Sequence, residues 1–233
     1  MGAELAQRLS AAFTAIGDAV AVARAGDHRE IEISCLGTFA MKWLIPRLSG
    51  FLAAHPHIRV RVSESYAAVD FRRDRFDGAI RIFEPGATAR GAEATPFLNQ
   101  YQGPVGAPHL VDAGVDVETF GRLPRLYATT FRESWRVWQE LAGVVLPPAP
   151  VTREFAHNHS MIEAAAAGMG VAVVPWAFVA PDIAAGRLVA PYGFAERSSR
   201  FVFLRPAGRT DAAVDAFRDW LVAEGSASPA PSG

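Results

Sequence analysis

Residues 31–56 constrain the chain more than any other stretch. Ile31, Ile33, Cys35 and Leu36 form an apolar run too dense for a strand with one solvated face. A strand covered on both sides, as in parallel sheets, accounts for it. Gly37 lets the backbone turn without a Cβ penalty. Leu44, Leu48, Phe51 and Leu52 then follow at helical spacing. Pro46 either opens the regular part of this helix or kinks it, because proline is tolerated only near a first turn. The unit delivers Thr38 to the carboxyl end of a strand, where open α/β sheets gather ligands. Unpaired N–H groups at a helix start there favour an anion or an oxygen acceptor. On these residues alone Thr38 either faces a ligand or caps its own helix.

The rest of the chain extends the α/β pattern. Leu5, Leu9, Phe13, Ile16 and Val20 recur at helical steps, and Gly26-Asp27 ends the run. This spacing predicts an amphipathic helix over 3–25, and its stripe needs a covering surface, either the body or another chain. Residues 58–62 alternate as a strand, Val69 and Phe71 mark a short helical connection, and 77–82 read as the next strand. These predict a right-handed parallel sheet. The segment 84–91 is a surface loop and 97–105 is extended. A second cluster begins with a strand over 125–129, a helix over 134–142 and a strand over 151–155. Trp135 and Trp138 share one face of that helix. An Ala-rich helix over 160–168 precedes the apolar strand 171–174, which Pro175 stops. Short strands at 187–189 and 201–204 and a helix over 210–223 complete the body. The composition from Gly225 onward predicts a disordered tail.

Composition removes several function classes. Half of the residues are hydrophobic, ample for a sizeable core, and the net charge of −1 carries no general attraction to nucleic acid or anionic membrane. One cysteine excludes an intrachain disulfide framework and a cysteine zinc cluster. Nothing approaches the roughly 18 apolar residues of a membrane span. Glu4, Arg8, Asp18 and Arg24 interrupt the first residues, which are therefore no secretory signal, and a cytoplasmic protein is expected. No Ser-x-x-Lys, Gly-x-Ser-x-Gly or Cys/His pair is present, so an enzyme is not expected. His157 and His159 without a third ligand do not make a metal site, and no cofactor is expected.

Several short runs stand in a telling order: Trp43-Leu44-Ile45-Pro46-Arg47-Leu48, Phe51, His55-Pro56-His57-Ile58, Val69-Asp70-Phe71 and Asp77-Gly78-Ala79-Ile80-Arg81. They are followed by Glu133-Ser134-Trp135-Arg136-Val137-Trp138, the run from Ala164 to Ala172, Ala185-Gly186-Arg187-Leu188-Val189 and Phe217-Arg218-Asp219-Trp220-Leu221. In this order and wording the chain resembles the effector-binding region of LysR-type transcriptional regulators. Gly37-Thr38-Phe39-Ala40 and Val69-Asp70 look most like the branch of glycine-cleavage and β-lactamase regulators. The resemblance implies a two-lobed α/β fold like type II periplasmic binding proteins, with a ligand cleft between lobes and a linker helix before it. Lobe one would cover about 31–98 plus 196–224, lobe two about 99–195, the linker 1–27 and the tail 225–233. It also implies a small-molecule effector and a homodimer or higher homo-oligomer. DNA would be contacted only through a helix-turn-helix, and no basic recognition helix is present in these residues. A stand-alone solute-binding protein of the same fold is the alternative.

The same resemblance places Thr38, Asp70 and Ser160 in the cleft, with Phe39 beside Thr38. Asp70 would accept hydrogen bonds from a ligand, or else pair with Arg72 and Arg73 on a helix surface. Ser65 and Tyr66, after the second strand, are further candidates. Arg81 could reach an anionic effector, or pair with Asp77, Asp74 or Glu84. Asn158-His159-Ser160 leads into a helix at which Ser160 is a good N-cap and Glu163 completes a capping-box pattern. Cys35, in mid-strand, reads as a small buried hydrophobe.

Overall fold

The computed structural model describes residues 29–112 and 114–231. The expected helix over 3–25 lies outside them. The first strand, β1 (Arg29–Cys35), buries Ile31, Ile33 and Cys35 completely. A continuous helix, α1, runs next over 37–54. It opens with an α-helical turn at Gly37–Phe39, widens to a π-helical turn at Ala40–Leu44, and is regular over Ile45–Ala54. Pro46 stands at the start of the regular part, so it opens that segment. It lacks the N–H that would continue the ladder, and the Ile45 N–H reaches back to the Ala40 carbonyl instead.

The remaining strands are β2 (Ile58–Glu64), β3 (Gly78–Phe83), β4 (Ala92–Val105), β5 (Arg125–Ala128), β6 (Thr152–Phe155), β7 (Val171–Pro175) and β8 (Ala195–Pro206). The helices are α2 (Val117–Gly121), α3 (Ser134–Ala142), α4 (Asn158–Ala166), α5 (Trp176–Ala184) and α6 (Ala212–Ala227). One mixed sheet runs in the order β2-β1-β3-β8-β4-β7-β5-β6. β1 pairs parallel with β2 and β3, and β5 pairs parallel with β6 and β7. Long β4 and β8 lie antiparallel between these groups. β4 pairs with β8 from Ala92 to Gln102 and with β7 from Gln102 to Val105, so the chain passes between two lobes along these strands.

Two large apolar clusters, with a small third one around Ala79, Val202 and Leu204, hold the body. The larger crosses the lobe boundary: the ring of Phe39 lies 5.0 Å from Trp43, 4.6 Å from Phe201, 5.9 Å from Phe97 and 6.5 Å from Phe178. The second belongs to the β7 side, where Phe120, Trp135 and Trp138 pack on Val171 and Val173. Trp135 and Trp138 thus share a buried face as the spacing predicts. Cys35 is buried, and burial pushes its thiol up to about 12.

Four local expectations are corrected. The connection at Val69 and Phe71 is a turn, because the Asp74 carboxylate accepts the Asp70 N–H at 2.8 Å and competes with helix formation. The last strand, β8, runs over twelve residues rather than over 201–204 alone, because its first half also pairs with β4. Val189 makes a single bridge to Gly106 instead of a strand. Residues 225–231 are ordered: α6 runs to Ala227, and two indoles hold Ser228 and Pro229 beyond its end. The helices α2 and α5 are additional. Among the described residues no helix is long and apolar enough to cross a membrane.

Candidate functional site: the cleft between the lobes

The N-terminal turns of α1 and α4 meet across the lobe boundary. Thr38 is 2% exposed, and its Oγ1 accepts the His159 N–H at 3.2 Å. Thr38 therefore does not cap its own helix. The N-cap of α1 is Leu36, which has no capping oxygen, whereas Thr38 satisfies an orphan donor of the other lobe's helix. One turn further along both helices, Lys42 Nζ lies 3.3 Å from Glu163 and 3.1 Å from Asp182. Arg187 completes that group, 2.8 Å from Asp182 and 2.5 Å from Glu163. Burial pushes the Glu163 carboxyl up, but hydrogen bonds from Arg187 and Lys42 outweigh it and hold the group below its usual range. Glu163 is thus an inter-lobe partner and not half of a capping box. α4 begins at Asn158 with His157 as N-cap, which places Ser160 inside the helix. Sequence alone misplaces this start because the backbone turns helical before any good capping side chain appears.

Beside the Thr38–His159 contact lies a cavity of about 440 Å³. Lobe one lines it with Leu36, Thr38, Tyr66, Arg81, Ile82 and Glu84. Gln100 and Arg197 enter from β4 and β8, and Thr130, Phe131, Asn158, Pro175 and Phe178 from lobe two. Tyr66 stacks on His157, their rings 5.3 Å apart and within 9° of parallel, and His157 stacks in turn on His159 at 5.4 Å. The Nδ1 atoms of both histidines are buried without a hydrogen-bond partner. Ser65 Oγ accepts the Ala67 N–H at 3.2 Å and shapes the loop that presents Tyr66.

Arg81 is 8% exposed and lies within β3. Its guanidinium donates to the carbonyls of Ala67, Ser34 and Ile80 and to the Ser34 hydroxyl at 2.8–3.2 Å. No ion pair with Asp77, Asp74 or Glu84 forms. All five donors are engaged by neutral acceptors, so the buried positive charge at the cavity wall has no carboxylate hydrogen-bonded to it; Asp74 acts on it only through space, and Glu84 on the same wall is paired with Arg197. Burial lowers its pKa from the ordinary arginine value. Arg197, which lines the same cavity, bonds Glu84 at 2.9 Å and Gln102 at 3.3 Å and lies over the Phe131 ring at 5.2 Å. Gln100, 3% exposed, accepts from Ser199.

Thr38, Tyr66, Arg81 and Asn158 therefore share one cavity, and His159 adjoins it through its N–H. Phe39 does not: it is fully buried in the aromatic core, since the residue after Thr38 on a helix points to another face. Ser160 and Asp70 are not on the cavity wall either. Asp70 accepts from the Arg72 side chain at 3.2 Å and backbone at 3.1 Å, which holds its carboxyl below its usual value. It lines a separate groove of about 600 Å³. Sequence reasoning missed Glu84, Gln100, Thr130, Phe131 and Arg197. The alternation of Gln100 and Gln102 in an extended segment was the available signal, because amides at period two share one face of a strand.

Comparison with known proteins identifies the surroundings of this cleft. The model of the LysR substrate binding domain matches residues 24–226. The chain is 35% identical over 207 residues to the HTH-type transcriptional activator AmpR of Rhodobacter capsulatus, covering 86% of this chain and 70% of that protein. It is 28% identical over 206 residues to the glycine cleavage system transcriptional activator of Escherichia coli, covering 84% and 65%. The chain thus spans about two thirds of the length of these relatives. The solved effector domain of AmpR from Pseudomonas aeruginosa superposes with a TM-score of 0.72 at 28% identity, covering 85% of this chain and 96% of that one. The AmpR effector binding domain from Citrobacter freundii gives 0.72 at 27%, covering 86% and 100%.

Proposed function

The chain belongs to the family of LysR substrate-binding domains, and from that premise we propose that it senses a small-molecule effector held between its lobes. Its fold is the two-lobed, type II periplasmic-binding-protein-like one. The observation that carries the reading is the convergence of two helix N-termini, joined by the Thr38–His159 bond, on a cavity walled by the buried Arg81, which makes no ion pair. Backbone donors and a buried cation together favour an anionic or acceptor-rich ligand group. Arg81 acts there through its field, because its own N–H groups are already committed. In this reading lobe one is about 31–98 plus 196–224, lobe two about 99–195, and the protein works in the cytoplasm.

Effector binding would control transcription through assembly, with DNA contacted by a helix-turn-helix domain outside the residues described. Assembly is supported by α1, which turns Met41, Ile45 and Leu52 outward at 47%, 55% and 39% exposure. Beside it, β2 is an end strand of the sheet. Sedimentation at tens of micromolar should show a dimer or larger species that Ile45→Glu weakens; a monomer in the unmutated chain would count against assembly. The binding reading is tested by a thermal-shift screen of purified protein against a metabolite library. Acidic compounds should raise the melting temperature, and the shift should shrink in Asn158→Ala. Hits that respond equally in both proteins would contradict the cleft assignment.

A further inference from the structure

The lobes meet a second time away from the cleft cavity, through the end of the chain. α6 packs on β4, β1 and β8, with Phe217 and Leu221 fully buried. Near its end Gly225 lies so close to Phe97 that a Cβ would collide with the Phe97 carbonyl oxygen. The helix stops at Ala227 because Pro229 disfavours helical backbone at Ser228, which sits at φ −69°, ψ 123°. Ser228 Oγ then accepts the Trp43 indole N–H at 3.2 Å and donates to the Glu224 carbonyl at 2.9 Å. The next carbonyl, of Pro229, accepts the Trp176 indole N–H at 2.9 Å. Trp43 belongs to α1 in lobe one, whereas Trp176 is the first residue of α5 in lobe two. The tail is anchored on one lobe and bonded to the other.

Trp176 also links this contact to the cleft. It directly succeeds Pro175 and stands two residues before Phe178, and both line the cleft cavity. Its ring is held by Phe194 at 5.1 Å, so the indole N–H has a defined direction. Pro229 and Pro231 restrict the segment to extended backbone, which lowers the entropy lost when it seats. We propose that residues 228–231 are an inter-lobe strap, which sets the angle between the lobes by fixing the opening turn of α5 and with it the Pro175–Phe178 wall. With the strap released, the lobes open more readily about β4 and β8, and the Thr38–His159 contact breaks more often.

Hydrogen exchange on the full chain tests this, using Trp176→Phe, which keeps an aromatic ring against Phe194 but removes the indole N–H, and a chain shortened to end at Ala227. The reporter is the peptide containing the His159 amide, whose acceptor is Thr38, and the reference is β1. Exchange at the reporter should rise about three-fold or more in the shortened chain, and less in Trp176→Phe, while β1 stays as in the unmutated protein. Unchanged exchange at His159 in both variants would overturn the strap. So would an equal rise in β1, which would mark a general loss of stability. If the shortened chain does not fold, Trp176→Phe decides the matter alone.

Discussion

Two cavities flank Arg81, and the larger one is not the one between the lobes. The groove beside Asp70 holds about 600 Å³ and the cleft about 440 Å³. They share Tyr66, Arg81 and Ile82 as a common wall. The groove is built by lobe one, and its carboxylate is already taken by Arg72. The cleft is closed by both lobes, and it has helix N-termini and the engaged pair Arg197–Glu84 at its edge. A ligand in the groove would touch one rigid body, whereas a ligand in the cleft would bear on the relation between two. Volume therefore does not select the sensing site; what selects it is which surfaces a ligand would hold together.

The shared wall gives the largest expected effect. Arg81→Leu leaves the fully buried Ser34 hydroxyl and the part-buried Ala67 carbonyl without their donor. Denaturant unfolding should show a loss of roughly 3 kcal/mol, given the cost of stranding partners of a charged donor. It should also loosen the loop that presents Tyr66 to both cavities. A loss below about 0.5 kcal/mol, the range of ordinary surface changes, would mean that Arg81 does not organise the wall. Thr38→Val affects the cleft alone. It keeps the shape and removes the acceptor of the His159 N–H, at a cost of about 1 kcal/mol. Because the bond crosses the lobes, the His159 amide should exchange faster while the core strands do not; uniform acceleration would contradict its role as a cross-lobe contact. Asp70→Ala affects the groove alone and is the smallest change. Its carboxylate serves an exposed pair with Arg72, so the melting temperature should stay unchanged and ligand affinity should not move. A large affinity loss would return Asp70 to the binding site.

Much of this architecture is legible in the residues. Dense apolar runs at β1 and β7 and the helical spacing after Gly37 are local signals, and local propensity and tertiary packing agree there. Thr38 was legible as a residue at a helix start, but its partner was not, because His159 is brought to it only by the packing of the lobes. Asp70 lies off the cleft wall for a local reason: a turn closed by Asp74 prevails over the apolar pattern of Val69 and Phe71. The tail composition reads as disorder, yet Trp43 and Trp176 supply donors from distant elements. Arg81 is legible as a strand arginine that either reaches an anionic effector or forms an ion pair. That its donors would all meet neutral acceptors depends on the loop at Ala67, whose path no periodicity encodes.

The central claim, that effector occupies the cleft and not the groove, is tested most directly by filling each cavity in turn. Thr130→Trp places a large ring into the cleft from an exposed turn, and Ala68→Trp does the same to the groove. Both proteins are titrated calorimetrically with one compound that binds the unmutated chain. Affinity should fall about ten-fold or more in Thr130→Trp, a change of about 1.4 kcal/mol or greater, and remain as before in Ala68→Trp. Retained affinity in Thr130→Trp together with loss in Ala68→Trp would place the ligand beside Asp70 and contradict the account.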